Sequence, residues 1–367
     1  MTTSPAAERA ADVVRTLARE PRPAGSDAEA RARAFCTERL RAAGFDVREE
    51  PFEYSSFVGR WGTPVGGVAA LALLLVAHVL ARQGKPLSAL TLLVVGAAAM
   101  AIVAAAAARS GVLTFPAERR WGVNLVATRG TDSPPLWLMA HLDSKSQPVP
   151  ILARAAGVTL VVVTWLVSAA LAVAQLAGSD PSLWWTPVGV IAALGAMPVI
   201  ATTVGSRSPG ALDNASGVAT VLRAAERTRA AVGVCLTSAE ELGLAGARAW
   251  VRGRGRATAL NCDGVDDRGA VTCMYTGAKP VALVDQVVHA ATQAGTSVRA
   301  HRLLPGVLTD GVALADAGWN VVTLSKGGLG TLARIHSSRD RPELVTGTGI
   351  AEVARLMAEV IDAPPKP

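Results

Sequence analysis

The chain has 367 residues, of which half are hydrophobic and 18% are charged, so it is more apolar than an average soluble protein. Its formal net charge of +7 comes from basic residues spread along the sequence, not from Lys/Arg blocks interleaved with aromatic residues. This distribution argues against nucleic-acid binding and favours a basic surface next to anionic lipid headgroups. The four cysteines form no CxxC pair and require no oxidising compartment, and the N-terminal segment has no apolar signal-peptide core.

The first part of the chain, residues 1–60, has the pattern of a soluble domain. The amphipathic pattern of residues 28–43 predicts a helix, and Gly44 marks its end. The alternating stretch DVREEPFEY follows it and predicts a strand.

Four long apolar runs then interrupt the soluble pattern, at residues 65–81, 87–108, 155–178 and 183–204. Runs of about 20 apolar residues match the hydrocarbon thickness of a bilayer, so each run predicts a transmembrane helix. The first run is the shortest and contains His78. The connectors RQGKP and SDPS are long enough only for tight turns. The four helices therefore form two hairpins, residues 61–108 and 155–204, with the rest of the chain on one side of the membrane.

The charges beside the apolar runs predict the orientation. The short connectors contain only Arg82 and Lys85, whereas several arginines lie near the run ends on the side of the large soluble part. The positive-inside rule therefore predicts a multi-pass plasma-membrane protein whose soluble part is cytoplasmic. Trp61, Trp184 and Trp185 lie at run ends, where aromatic rings favour the membrane interface.

Strands and helices alternate along the remaining soluble parts, residues 109–154 and 205–367. Strands are predicted at NLVATRG, PLWLMAHLDS, AVGVCLTS, ATALNCD and NVVTLS, and helices at residues 214–228, 242–251, 281–294 and 343–361. This alternation is typical of an α/β fold, a three-layer α/β/α sandwich with a mostly parallel, mixed central sheet. In such sheets, functional residues gather at the carboxyl ends of the strands.

Acidic residues and histidines occupy those strand ends and nearby loops. They are His141 and Asp143 after PLWLMA, Asp213 before the helix DNASGVATVL, Glu240 and Glu241 after AVGVCLTSA, Asp263 after ATALNC, and His336 in RIHSSRD. Each alone has an ordinary explanation, since an aspartate before a helix is usually an N-cap and a Glu pair usually faces solvent. Their coincidence in an apolar context predicts a site for one or two divalent metal ions with nitrogen and oxygen ligands.

The ordered set of motifs resembles the co-catalytic zinc metallopeptidases of family twenty-eight in clan MH, the aminopeptidase Y and bacterial leucyl aminopeptidase group. The matching stretches are AHLDS, GALDNASGVA, SAEELGLAGARAW, NCDGVD and IHSSRD, together with RPAGSDAEARARAFCTERLRAAGFDV near the N-terminus. The likeness covers the soluble parts of the chain. The two hairpins are departures from the soluble members of the family.

The resemblance implies two zinc ions, with Mn²⁺ or Co²⁺ as alternatives, and a role for each residue. Asp213 bridges the ions, His141 and Asp263 complete one site, Glu241 and His336 complete the other, Asp143 orients the His141 ring, and Glu240 is the general base. The implied reaction is hydrolysis of a peptide bond by a metal-activated water. The predicted function is therefore that of a membrane-anchored exopeptidase, foremost an aminopeptidase acting on peptides.

Other functions stay open at this point. A carboxypeptidase, a dipeptidase or a glutaminyl cyclase would use the same site. A non-catalytic receptor or scaffold is less consistent with a complete ligand set and a base. A transporter is disfavoured because the apolar runs contain almost no polar groups.

Four residues near these motifs receive weaker predictions. Asp310 lies in TDG, where the family often has Ser-Asp-His, so the usual histidine is absent. Lys145, Asp266 and Asp267 are expected to be solvated.

Overall fold

The computed structural model describes residues 4–304 and 306–363 and contains an eight-stranded sheet with helices around it. The strands are β1 (Asp46–Ser55), β2 (Arg119–Arg129), β3 (Leu136–His141), β4 (Val232–Thr237), β5 (Thr258–Val265), β6 (Ala270–Tyr275), β7 (Val298–Arg302) and β8 (Asn320–Gly327). The helices are α1 (Pro5–Leu17), α2 (Asp27–Ala42), α3 (Ser56–Arg82), α4 (Pro86–Ala106), α5 (Val112–Thr114), α6 (Ile151–Leu176), α7 (Ser182–Ile200), α8 (Ser216–Arg227), α9 (Ala245–Val251), α10 (Val281–Gln293), α11 (Asp310–Asp316), α12 (Leu329–Leu332) and α13 (Thr348–Asp362). They group into two compact units, one of residues 1–56, 112–146 and 206–367, and one of residues 57–111 and 147–205.

The sheet of the first unit is mixed, in the order β1-β2-β4-β3-β5-β8-β6-β7. Its centre is parallel: β3 lies between β4 and β5, and β5 pairs with β8 in the same direction. The antiparallel pairs are β1 with β2, β2 with β4, and β6 with β8. Because β3, β4 and β5 run in one direction, their carboxyl ends meet at the same edge of the sheet.

Side chains of the central strands alternate between two apolar cores, one on each face of the sheet. Leu138 and Ala140 join the larger core, which also receives apolar residues of α1, α2, α8, α10 and α13. Trp137 and Met139 point to the smaller core with residues of α9 and α11, where the Trp137 and Trp250 rings meet edge to face at 4.8 Å. Fully burying a side chain such as Leu138 contributes about 1.5–3 kcal/mol, so this alternation fixes which face each strand residue occupies.

The strand and helix predictions hold where the apolar pattern is strong and miss two strands. Three of the five residues of β7, Arg299, His301 and Arg302, are polar or charged, and none of the five is buried, so no apolar pattern marks this strand. The short strand β6 was also not predicted, although its Val271 and Cys273 are buried. Helix α9 begins three residues later than predicted, because the chain makes a turn before Ala245.

The second unit contains α3, α4, α6 and α7. Each of its four apolar stretches is helical, and each helix has the length and composition needed to cross a membrane. Most of the helical surface is apolar and exposed, as at Val94, Ile102, Leu166, Leu183 and Leu194. Four apolar helices with so little of their apolar surface covered are typical of a membrane-embedded bundle.

A small polar cluster links three helices inside this unit. His78 of α3 lies with Nε2 2.8 Å from the Ser168 hydroxyl of α6, and Ser168 donates to the carbonyl oxygen of Thr164. The ring of Trp185 in α7 packs edge-on against His78 at 5.1 Å and is 2% exposed. Trp185 therefore packs between helices near the start of α7, and its place at the membrane interface stays a prediction.

Candidate metal centre

Three strands of the parallel centre deliver acidic residues and a histidine to one edge of the sheet. His141 is the last residue of β3 and pairs with Thr237, the last residue of β4. Glu240 follows β4 after a short turn, and Asp263 lies near the carboxyl end of β5. His141 is 2% exposed although it is polar. Buried polar atoms require partners. In this cluster, the side-chain nitrogen and oxygen atoms lie together in two groups.

The first group consists of His141, Asp213 and Asp263. Nε2 of His141 lies 3.1 Å from Oδ1 of Asp213 and 3.8 Å from Oδ1 of Asp263. One ligand atom from each residue lies within 4.8 Å of the other two. One imidazole and two carboxylates in this arrangement are a ligand set suited to zinc.

The second group consists of Asp213, Glu241 and His336. Nε2 of His336 lies 2.9 Å from Oδ2 of Asp213 and 3.3 Å from Oε2 of Glu241. The backbone of His336 has φ 59°, a left-handed conformation that costs a β-carbon-bearing residue roughly 1–3 kcal/mol. In this backbone conformation, the ring of His336 faces Asp213 and Glu241.

Asp213 belongs to both groups and presents a different oxygen to each. Its own position is set by the buried carboxylate of Asp340, which accepts N–H groups from Leu212 at 2.7 Å and from Asp213 at 3.1 Å. The peptide bond between Asp213 and Asn214 is cis, and the Asn214 side chain donates to the carbonyl oxygen of Cys262. The shared aspartate is therefore held from both sides by buried hydrogen bonds.

The adjacent glutamates are separated by a turn anchored on Asp143. Ala239 has φ 57°, and the following N–H groups of Glu240 and Glu241 donate to the two oxygens of Asp143 at 3.1 and 3.2 Å. Nδ1 of His141 lies 3.0 Å from the carbonyl oxygen of Asp143 and 3.6 Å from its carboxylate. Asp143 thus orients the His141 ring, mainly through its backbone, and its carboxylate holds the glutamate turn.

Glu240 stands apart from both ligand groups. Its Oε2 lies 3.9 Å from Nε2 of His141, while Glu241 belongs to the second group. Burial raises the pKa of Glu240 well above its usual value, and the neighbouring Glu241 adds to this shift. The arrangement leaves one carboxylate of the pair free of the ligand groups and beside them.

The electrostatics of the site call for cations. Burial alone would lower the pKa of His141, but the carboxylates of Glu240, Asp143, Asp213 and Asp263 outweigh it and raise that pKa well above the usual value. Oε1 of Glu241 is buried without a hydrogen-bond partner among the described residues. Buried carboxylates crowded in this way are stabilised by a divalent ion, so the donor set fits zinc.

Comparison with protein-family models matches residues 188–361 to Peptidase family M28. These residues carry an M28 peptidase domain. The matched segment contains Asp213, Glu240, Glu241, Asp263 and His336. It is preceded by the strand that ends at His141 and by Asp143, which follows that strand. No curated protein sequence matches the chain.

Solved structures share the fold at low sequence identity. An aminopeptidase from Aneurinibacillus sp. strain AM-1 has a TM-score of 0.57 and 14% identity, with 97% of this chain and 93% of that chain covered. A zinc aminopeptidase from Bacillus subtilis has a TM-score of 0.56 and 14% identity, with 97% and 94% covered. A Bacteroides thetaiotaomicron glutaminyl cyclase bound to N-acetylhistamine has a TM-score of 0.57 and 14% identity, with 97% of both chains covered. These likenesses establish the fold, and the M28 domain makes the chain a metallopeptidase, a hydrolase with zinc as the implied metal.

Lys145 lies within the ligand cluster of the M28 domain, so the expectation that it is solvated was wrong. Its Nζ lies 2.7 Å from Oε2 of Glu241, and its side chain is 16% exposed. Burial alone would lower the pKa of Lys145, but the carboxylates of Glu241 and Glu240 outweigh it and raise the pKa, so the side chain is a cation. A lysine with no partner nearby in the sequence is usually exposed to solvent. Its contact with Glu241 forms only when the chain folds.

Asp266 was also expected to be solvated and is buried. Its carboxylate accepts a hydrogen bond from Thr331 at 2.6 Å and forms an ion pair with Arg334, two residues before His336. The loop after β5, which follows Asp263, is therefore tied to the loop that carries His336. Asp267 accepts N–H groups at the start of α13 and is likewise engaged by the protein.

Asp310 lies close to the M28 site and contacts none of the ligands directly. It is buried at the start of α11 and accepts a hydrogen bond from the Thr237 hydroxyl. Burial raises the pKa of Asp310 to about 7, and His141 opposes that rise. A β-carbon at the next residue, Gly311, would lie 2.6 Å from the Thr323 hydroxyl, so any larger residue there requires Thr323 to shift.

Replacing Asp340 with alanine is expected to lower zinc affinity about 10- to 100-fold, because the N–H groups that position Asp213 lose their acceptors. The two orphaned donors should also destabilise the fold by about 1–3 kcal/mol each. Zinc competition titrations and thermal unfolding check both effects. Asp340→Asn is the matched control, since its side-chain oxygen keeps one acceptor and should cause a smaller loss of affinity. An Asp340→Ala protein with unchanged zinc affinity would contradict this role.

Proposed function

We propose that the chain is a membrane-anchored di-zinc exopeptidase, foremost an aminopeptidase. The observation that carries this proposal is Asp213, whose two carboxylate oxygens face separate ligand groups. A carboxylate shared in this manner suits two neighbouring ions. The carboxylate of Glu240 lies beside the two ligand groups and belongs to neither of them. The aminopeptidases among the structures of similar fold support the exopeptidase assignment.

Each ligand residue has a distinct task in this proposal. His141 and Asp263 would hold one ion, Glu241 and His336 would hold the other, and Asp213 would contribute one oxygen to each. When bound, zinc lowers the pKa of water to about 7 and polarises the scissile carbonyl. Asp143 keeps His141 and the glutamate turn in place, so the ligands are oriented before substrate arrives.

Glu240 moves the protons of the reaction. Its carboxylate takes a proton from the attacking water and delivers it to the amide nitrogen of the scissile bond. The nitrogen therefore leaves as a neutral amine when the peptide bond breaks. Burial of Glu240 raises its pKa, which strengthens it as a base for a water of lowered pKa. A cation held by the neighbouring ligands would oppose that rise and favour the ionised carboxylate.

Metal content combined with a substrate panel tests the proposal. The full-length protein purified in detergent should contain about two zinc ions per chain and hydrolyse aminoacyl-p-nitroanilides. N-acetylated versions of the same substrates should be resistant, because an aminopeptidase requires a free amino group. Cleavage at the carboxyl end, or of dipeptides alone, would replace the aminopeptidase assignment, and absence of bound metal would overturn the proposal.

Glutaminyl cyclase activity is the second candidate. Glutaminyl cyclases stand among the neighbours at TM-scores of 0.56 and 0.57, equal to those of the aminopeptidases, so the fold does not separate the two. The complete set of five ligands favours the two-ion peptidase. A glutaminyl peptide in the same panel decides between them, since loss of ammonia without chain cleavage identifies the cyclase.

The four apolar helices support a multi-pass membrane location. We place the M28 domain in the cytoplasm, because the short connectors at residues 83–85 and 177–181 carry little positive charge compared with the chain beyond the helices. A lipid bilayer and peptide substrates are the partners in this proposal, and the scattered charge argues against nucleic acid.

Cysteine labelling in intact cells tests this topology. The variants Gln83→Cys and Ser179→Cys place exposed thiols in the two connectors, and the four native cysteines are buried. A membrane-impermeant maleimide should label both connectors, while Asp285→Cys on the exposed face of α10 stays unlabelled until the cells are opened. The reverse pattern would invert the orientation, and extraction of the protein by alkaline carbonate would exclude a spanning bundle.

A further inference from the structure

An ammonium group occupies one side of the second ligand group. Nζ of Lys145 lies 2.7 Å from Oε2 of Glu241, and the same oxygen lies 3.3 Å from Nε2 of His336. Lys145 also lies 3.5 Å from the carbonyl oxygen of Glu241. The oxygen that would bind an ion together with His336 is therefore already paired with a cation of the chain itself.

The backbone holds Lys145 in this place. On one side, the N–H of Ser144 donates to the carbonyl oxygen of Arg22, and the Ser144 hydroxyl donates to Ser208. On the other side, the Ser146 hydroxyl accepts the N–H of Arg207. Hydrogen bonds thus hold the backbone on both sides of Lys145, and its side chain extends from there to Glu241.

The first ligand group has no such cation. Across residues 4–304 and 306–363, the basic partners of Asp213 and Asp263 within ion-pair distance are histidines only, and Lys145 pairs with Glu241. A fixed positive charge repels a divalent ion strongly in a buried, low-dielectric site. The two groups therefore differ in charge although their ligand types are similar.

We infer that Lys145 is a built-in competitor for Glu241 that makes the Asp213–Glu241–His336 group the weaker of the two ion sites. The inference rests on the two-ion centre proposed above. It adds the residue that makes the zinc affinities of the two sites unequal. Binding of an ion there requires Oε2 of Glu241 to be shared with, or released from, the ammonium. The second zinc is consequently exchangeable, and occupancy of that site follows the free zinc concentration while the first ion stays bound.

Zinc titration of the chelator-stripped, full-length protein in detergent, against a chromophoric chelator, tests this inference. The wild type should show two binding steps of unequal affinity, and His336→Ala should remove the weaker step and so assign it. Lys145→Met removes the charge and keeps much of the side-chain length. It should tighten the weaker step about tenfold or more and leave the tighter step unchanged.

Three further proteins make the result specific. Lys145→Arg keeps the positive charge and should titrate like the wild type, whereas Lys145→Gln should tighten the weaker step as the methionine variant does. Lys279→Met removes an exposed lysine before α10 and should change neither step. If Lys145→Met misfolds, the glutamine variant supplies the same comparison.

The possible failures are distinguishable. A weaker step that is unchanged in Lys145→Met and Lys145→Gln overturns the inference and leaves the two-ion centre intact. A weaker step that loses affinity overturns it as well, and shows that Lys145 holds Glu241 ready for metal. Absence of zinc binding in every protein overturns both the proposed centre and this inference.

Discussion

Replacing Glu240 with glutamine is expected to lower kcat about 10³-fold while both zinc ions remain bound, because removal of a general base typically costs between about 10² and 10⁴. Glutamine has nearly the same shape and still accepts hydrogen bonds, but it takes no proton from water. Glu240 belongs to neither ligand group, so metal content should not change. Peptide hydrolysis and elemental analysis of the same preparation measure the two effects together.

The matched control for this variant is Glu343→Gln. Glu343 is an exposed glutamate in the short turn before α13, so its replacement should leave kcat and zinc content unchanged. Loss of zinc from Glu240→Gln would mean that this carboxylate is a ligand, and Glu241 would then become the candidate base. Retained activity would remove Glu240 from the mechanism.

Replacing Asp213 with alanine should abolish both zinc sites and reduce activity at least about 10³-fold, because each tenfold loss corresponds to about 1.4 kcal/mol and metal chemistry supplies several kcal/mol. The reason is geometric: each oxygen of Asp213 faces a histidine of a different group. His336→Ala, by contrast, removes a ligand of one group only. Elemental analysis should therefore find about no zinc in the first variant and about one ion in the second.

Asp285→Asn is the control for the loss of an aspartate, since Asp285 is exposed on α10 and far along the chain from the ligands. It should keep full zinc content and activity. If Asp213→Ala retained one ion, the shared carboxylate would not be a bridging ligand. The two groups would then be independent sites, and the co-catalytic mechanism would require revision.

The sequence by itself determined the four long apolar helices and the chemical types at the candidate site. Uncharged runs near 20 residues leave few alternatives to a spanning helix, and the structure contains long apolar helices at all four runs. His141, Glu240, Glu241 and Asp263 follow apolar strand patterns, and parallel strands bring their carboxyl ends to one edge. Apolar patterns are encoded within short stretches, and the alternation of strands with helices along the chain indicates parallel strands, which is why both could be predicted.

The tertiary structure alone decided which of these groups meet and what opposes them. That Asp143 anchors the glutamate turn depends on a pairing between residues 97 and 98 positions apart. Asp340 reaches Asp213 across 127 positions, and Lys145 reaches Glu241 across 96. No local pattern marks such partners, since a lone lysine or aspartate is usually solvated. Packing of distant segments around the sheet brings these residues into the candidate metal centre. Each buried charge there lies beside a partner, because a buried unpaired charge is energetically costly.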